Sequence, residues 1–315
     1  MKLALSTNWC NRRLTSGEAI ADAALSLGFN ELELGFHTTL EQVPGFKARL
    51  SQIPVASIHA FCPVPISAPQ GYPELYQLAS LDPDARALAH IHTQRNIEFA
   101  ADIGASTVVL HAGRVPLSRL FRPLDTTLLR EKFAALKNDT TAPKYQKMLT
   151  RAHAARAKNA PRYMDAFKAE LASLIPVLEH HHITLALENL PYLEGFPNED
   201  ELLSLLTEFK GAPIRGWFDT GHDRVRRMNG WITTALPTAA DAPHFAGMHL
   251  NDVLDFDDNH FAPGDGHVDF AALKSFAEAV RHIVFEPSCT VSEEDLRRGI
   301  EHICTIWNLP HVDRA

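Results

Sequence analysis

Short apolar runs rich in β-branched residues alternate along this chain with longer stretches of helical period, a rhythm that belongs to parallel βα units rather than to hairpins. The runs Lys2–Ser6, Glu31–Leu34, Val55–His59, Thr107–His111, Thr184–Glu188, Ile214–Asp219, Phe245–His249 and His282–Glu286 read as eight strands. Helical spacing predicts helices over Ser16–Leu27, Thr39–Gln52, Asp84–Ile103, Arg162–His180, Asn198–Phe209, Phe270–Ala279 and Ser292–Trp307, with a poorly defined stretch around Trp231–Leu236. Ser16 is placed to cap the first helix, and Gly28 and Gly104 to end the first and third. Eight such units predict an α/β fold, a (β/α)8 TIM barrel, as a single domain over residues 1–315. The proline-rich segment Phe61–Leu81 predicts ordered irregular chain covering the rim, and residues 115–162 a basic, partly helical insertion after strand four.

The ends of the runs carry the chemistry. Strands three to eight finish on His59, His111, Glu188, Asp219, His249 and Glu286 in turn. In a barrel the core-facing positions are filled by branched apolar residues, whereas polar groups at the carboxyl rim face the cavity. A single rim histidine is ordinarily a hydrogen-bonded structural residue. Six consecutive strands ending in such groups call for a cation, because clustered carboxylates and imidazoles repel or desolvate one another without one. His222, Asp258 and His260 lie just beyond strand ends and complete nine metal-capable residues on one rim.

Composition narrows the reading further. At 315 residues and 45% apolar content the chain can fill one barrel plus an insertion. A net charge of -8 argues against a surface built to coat nucleic acid. Yet Val115 to Arg162 carries eleven Lys and Arg against three Asp and Glu, so the insertion either exposes a cationic helical surface or faces an anion. The first residues lack a basic stretch followed by an apolar run, and no segment approaches eighteen uninterrupted apolar residues, so a cytoplasmic chain with no membrane span is expected. Cys10, Cys62, Cys289 and Cys304 have no CxxC spacing and read as reduced packing residues. His180, His181 and His182 precede strand five and belong to the opposite rim. Asp252 reads equally as a carboxylate orienting a ligand imidazole and as a loop cap. Arg114, beyond strand four, suits a phosphate or carboxylate.

The segments Ala186-Leu-Glu188-Asn, Phe218-Asp219-Thr-Gly-His222, Met248-His249-Leu-Asn-Asp252 and Phe285-Glu286-Pro resemble the xylose isomerase-like TIM-barrel superfamily, from Lys2 to about Trp307. That group includes sugar isomerases and epimerases and the endonuclease IV type of abasic-site nuclease. In the isomerase branch the resemblance implies one divalent ion, manganese, magnesium, cobalt or zinc, held by Glu188, Asp219, His249 and Glu286. Glu188 and Glu286 would then move a proton beside the carbonyl of a sugar or related polyhydroxylated molecule, with His222, His59, His111 and Arg114 contacting that substrate. In the nuclease branch it implies up to three zinc ions on a fuller set that adds His59, His111, His222, Asp258 and His260, and phosphoester hydrolysis. The DNA-engaging loops of that branch are not recognisable in Asn8–Arg13 or Gly35–Thr39. An isomerase or epimerase is therefore the leading expectation and a hydrolase the alternative, followed by lyase, dehydratase or metal-oxidase chemistry. A catalytically silent metabolite sensor is the competing class. The expected partner is a small molecule, with a substrate phosphate left open, no membrane, and no nucleic acid unless the alternative holds. Barrels of this group often pair, which leaves a homodimer open.

Overall fold

Each apolar run becomes a strand in the computed structural model, which describes residues 2–117 and 124–310. The barrel strands are β1 (Ala4–Ser6), β2 (Glu31–Leu34), β3 (Val55–His59), β4 (Thr107–Leu110), β6 (Thr184–Glu188), β8 (Ile214–Asp219), β9 (Phe245–Leu250) and β10 (His282–Phe285). Two short strands, β5 (Gly113–Arg114) and β7 (Gly195–Phe196), pair antiparallel in a separate ribbon. The eight others are parallel and close in the order β1-β10-β9-β8-β6-β4-β3-β2, so the expected (β/α)8 barrel is present.

The helices are α1 (Gly17–Ser26), α2 (Val43–Arg49), α3 (Pro83–Ile103), α4 (Thr126–Ala135), α5 (Pro143–His181), α6 (Glu199–Glu208), α7 (Thr220–Met228), α8 (Lys274–Ala277) and α9 (Glu293–Trp307). Local chemistry sets their ends. The Ser16 hydroxyl accepts from Ala19 N at the start of α1, and Gly104, at a φ of 80°, closes α3 in the left-handed conformation. Among the described residues no helix is long and apolar enough to cross a membrane.

Two apolar layers meet at the strands. Outward residues such as Leu32, Leu34, Ile58, Val108, Leu110, Leu185 and Leu187 join the core between barrel and helices. Inward residues form a separate cluster of Ala4, Val109, Ala186, Trp217, Ala246 and Val284. One buried indole thus fills an interior whose other apolar residues are small. Alternation with a period of two carries this inward face upward from Ala186 to Glu188 and from Trp217 to Asp219.

Three helical expectations are corrected. The boundary at Arg162 does not exist, because α5 runs without a break from Pro143 through Pro161 and Pro176 to His181. Both prolines are exposed, as are Ala157 and Ala172 one turn earlier, so water can take the carbonyls that the missing N–H groups leave free. The stretch at Trp231–Leu236 is irregular, and the helix lies instead at α7, directly after β8. Trp231 leaves the helical path to join an apolar cluster with Leu129, Phe133, Tyr145 and Leu149, and its indole donates to Tyr145 Oη at 3.0 Å. Helix α8 spans only four residues of the predicted Phe270–Ala279. Of the insertion, residues 118–123 lie outside the described residues. On α5, Lys144, Lys147, Arg151, Lys158 and Arg162 are exposed opposite a buried face that includes Tyr145, Leu149 and Ala160.

At the end of the barrel remote from the rim residues, His282 is 5% exposed, with Nε2 3.2 Å from Ser106 Oγ and its ring over Trp217. Burial first, and then the charge of Arg281, lowers its pKa from 6.5 to about 4. A histidine depressed in the folded state leaves stability intact above the unfolded value and erodes it as pH falls from about 6.5 towards 4. The stability advantage of the wild type over His282→Phe should therefore shrink by about 2 kcal/mol between about pH 7 and pH 5, read by denaturant unfolding. An advantage constant across that range would contradict a neutral, buried His282.

Candidate metal centre

The rim residues expected to converge do so. Single donor atoms lie within 4.8 Å of one another in three groups: His59, His111 and Glu188; Glu188, Asp219, His249 and Glu286; and Asp219, His222 and His260. Glu188 is common to the first two and Asp219 to the last two. Asp258 lies between two imidazoles, 3.3 Å from His222 Nε2 and 3.2 Å from His260 Nε2. All nine expected residues thus border one region.

Amide groups fix the acids. Asn189 grips the Asp219 backbone at both ends, accepting from its N–H at 2.7 Å and donating to its carbonyl at 3.0 Å. Asn251 Nδ2 donates to Asp219 Oδ2 at 2.7 Å, and Asn8 Nδ2 to Glu286 Oε1 at 3.0 Å. Asp219 is also the N-cap of α7, accepting from His222 N, which sets the imidazole one turn along.

The imidazoles reveal what the cluster requires. His59 Nδ1 lies 3.0 Å from the Ala60 carbonyl, His222 Nδ1 2.7 Å from that of Asn189, and His260 Nδ1 2.8 Å from that of Glu286. A carbonyl only accepts, so each Nδ1 carries the proton and a neutral ring keeps a bare lone pair on Nε2. Those lone pairs point at carboxylate oxygens: His59 Nε2 is 3.1 Å from Glu188 Oε2, and the other two face Asp258. His249 repeats the pattern in reverse. Its Nε2 meets Glu33, while Nδ1 lies 3.1 Å from Glu188 Oε1 and 3.2 Å from Glu286 Oε2. Lone pair against carboxylate is repulsive unless each ring gains a second proton or a cation enters between them.

The protonated alternative is visible in the electrostatics. Burial alone would lower His222, but the charges of Asp219 and Asp258 outweigh it and raise it to about 10. His249 and His260 rise likewise against burial, driven chiefly by Glu286 and Asp258 respectively. Glu188 and Asp258 fall well below the usual carboxylate range, because neighbouring imidazoles overcome their desolvation. Mixed imidazole and carboxylate donors at these separations fit a divalent ion such as zinc, manganese or cobalt.

Above the cluster lies a cavity of roughly 290 Å³ bordered by His59, His111, Glu188, His222, Asp258 and Glu286, with Phe36, Tyr72 and Tyr192 among its walls and Arg12, His37 and Gln70 as polar neighbours. Trp217 is fully buried and Trp9 donates to Val291 O, so neither walls this space. Arg114 does not line it but stands behind two residues that do: the guanidinium holds Glu74 through two bonds of 2.6 and 2.9 Å and lies 3.5 Å over the Tyr192 ring. Against its own burial, Glu74 is held down to about 2 by His111 and Arg114. Asp252 caps a loop, accepting from the N–H groups of Gly264, Gly266 and Val268.

Two residues escaped the sequence reading. Glu74 lies in the proline-rich segment Phe61–Leu81 that covers the rim. Glu33 is fully buried on β2, and its one signal was an acid between two leucines at an inward position.

A family model described as a xylose isomerase-like TIM barrel matches residues 21–306. The chain belongs to that family. Among solved structures, a D-tagatose 3-epimerase-like protein aligns over 98% of both chains at 16% identity and a TM-score of 0.64. The 3-keto-D-glucoside 4-epimerase of E. coli aligns over 97% of this chain and 99% of its own, at 13% identity and a TM-score of 0.64. A zinc-bound IOLI protein covers 98% of each chain at 12% identity and a TM-score of 0.63. At these identities the likeness is one of fold. No curated protein matches the sequence.

Because the imidazoles must shed protons to accept an ion, affinity for a divalent cation should rise with pH, and calorimetry in buffers of different ionisation enthalpy should register proton release. At a hundredfold excess over its dissociation constant the ion should add about 2.7 kcal/mol of folding stability. Denaturation midpoints indifferent to zinc, manganese and cobalt would refute the assignment.

Proposed function

We propose that this protein is a divalent-metal-dependent isomerase or epimerase acting on a sugar or a related polyhydroxylated small molecule. The observation that carries the reading is that Glu188, ending β6, and Glu286, just beyond β10, approach one nitrogen, His249 Nδ1, at 3.1 and 3.2 Å, and both border the cavity. Two carboxylates so placed can serve the two proton positions beside a carbonyl, one removing a proton and the other returning one. When bound, the ion supplies electrostatic stabilisation of the charge that grows on the carbonyl oxygen. Glu188, Asp219, His249 and Glu286 would hold it, and His59, His111 and His222 would contact substrate hydroxyls. At roughly 290 Å³ the cavity stands near the lower end of small-ligand pockets, which run from about 300 to 1,000 Å³. Aromatic walls suit the C–H faces of a sugar. The sugar epimerases among the structural neighbours support the same substrate class. Arg114 is committed to Glu74, so a substrate phosphate would have to find its cation elsewhere on the rim.

A second reading, metal-dependent phosphoester hydrolysis, rests on its own observation. One-ion chemistry leaves unexplained why Asp219, His222 and His260 form a further group and why Glu188 Oε2 stands 3.1 Å from both His59 and His111. Three ions would use all of these donors.

Glu188→Gln and Glu286→Gln should each lower turnover by at least about a hundredfold while the fold persists. Solvent deuterium should enter the substrate at the carbon beside its carbonyl, in a screen of ketoses and their phosphates, with about one exchangeable metal per chain. Three metals per chain together with cleavage of an abasic-site duplex would replace this reading by the second. Wild-type turnover in both variants would end it.

A further inference from the structure

Strand β2 sends Leu32 and Leu34 outward into the helix-facing core, which turns Glu33 into the barrel. Its carboxylate is wholly buried and has three contacts: His249 Nε2 at 3.0 Å from Oε1 and 3.2 Å from Oε2, and the Ser57 hydroxyl, donating to Oε2 at 2.8 Å. Among the described residues no lysine or arginine pairs with it. For packing alone an apolar side chain is the better filler, as Ala4, Val109 and Ala186 elsewhere in the barrel interior illustrate, because an ionised carboxylate pays heavily for leaving water. What Glu33 does accomplish is specific. It keeps the His249 proton on Nε2 and directs Nδ1 towards Glu188, Asp219 and Glu286. The Trp217 ring packs edge-on at 5.0 Å and the His59 ring lies parallel at 5.8 Å, which limits rotation of the imidazole.

We infer that Glu33 is the positioning residue of the metal centre: it orients His249, fixes its tautomer and makes Nδ1 a stronger donor to a divalent cation. The inference rests on the metal reading above and extends it to a residue that touches neither ion nor substrate. Carboxylates behind a ligating imidazole characteristically govern metal affinity about 10- to 100-fold.

Cobalt(II), whose visible absorption reports both occupancy and geometry, tests this by titration of wild type and variants against a competing chelator. Glu33→Gln keeps shape and a hydrogen-bond acceptor but removes the charge. It should weaken cobalt binding about 10- to 100-fold and alter the absorption envelope, while the metal-free protein still unfolds cooperatively. Ser57→Ala retains the charge but frees the carboxylate to shift, and should weaken binding in the same direction by a smaller factor. A purely structural role would instead lower the unfolding midpoint of the metal-free protein and leave the affinity of the folded fraction unchanged. Wild-type affinity in folded Glu33→Gln overturns the assignment, as does wild-type affinity in Ser57→Ala should the first variant fail to fold. Absence of cobalt binding by the wild type overturns the metal reading and this inference with it.

Discussion

The two oxygens of Glu188 hold the rim together. One faces His59 and His111, the other His249, and around them Asp219, Glu286 and Asp258 crowd further imidazoles into a volume from which water is largely removed. No neutral arrangement of these groups satisfies every lone pair, so the barrel must carry a positive charge there as protons or as metal. The amides of Asn8, Asn189 and Asn251 hold the acids in place whichever it is. Asp219 and Glu286 are thus held by amides, whereas Glu188 and Asp258 meet imidazoles.

The barrel was legible because β-strands repeat every two residues and the chain ends its apolar runs on a polar group. The inward line from Ala186 to Glu188, or from Trp217 to Asp219, is the same line that builds the core, extended by one step into the cavity. Glu33 obeys the same rule and was passed over, because it sits in the middle of β2 and Glu31-Leu-Glu33-Leu imitates a half-solvated strand. Helix α7 was illegible for the opposite reason. Its sequence, Thr220 to Met228, is strongly polar, and its buried side is built of Thr220, His222, Asp223 and Arg226 as well as Val225, started by the Asp219 cap, so no apolar stripe announces it. The boundary expected at Arg162 is absent because solvent exposure at Pro161 lets α5 continue through it.

Packing around the site is uneven in kind. Beneath it, Trp217 occupies an interior of small residues, so the floor is set by one large ring against His249. Above, the segment after β3 is tied down at Glu74, which bonds Arg114 and lies 3.7 Å from His111 Nδ1. Arg114 in turn rests on Tyr192, a cavity wall. The cavity is therefore bordered by the loops after β1, β2, β3, β6 and β9, at Arg12, Phe36, Gln70, Tyr192 and Asp258, whereas His59, Glu188, Asp219 and His249 come from the strands themselves.

Asp219 serves two masters, starting a helix through the backbone of His222 and offering its other oxygen to the rim. A descendant of this chain that abandoned its chemistry would still favour a short polar side chain here, since losing the cap would cost α7 about 1 kcal/mol. Persistence of that acid through a lineage is accordingly poor testimony to activity, and Glu188, which caps nothing, is the more reliable marker of a working enzyme.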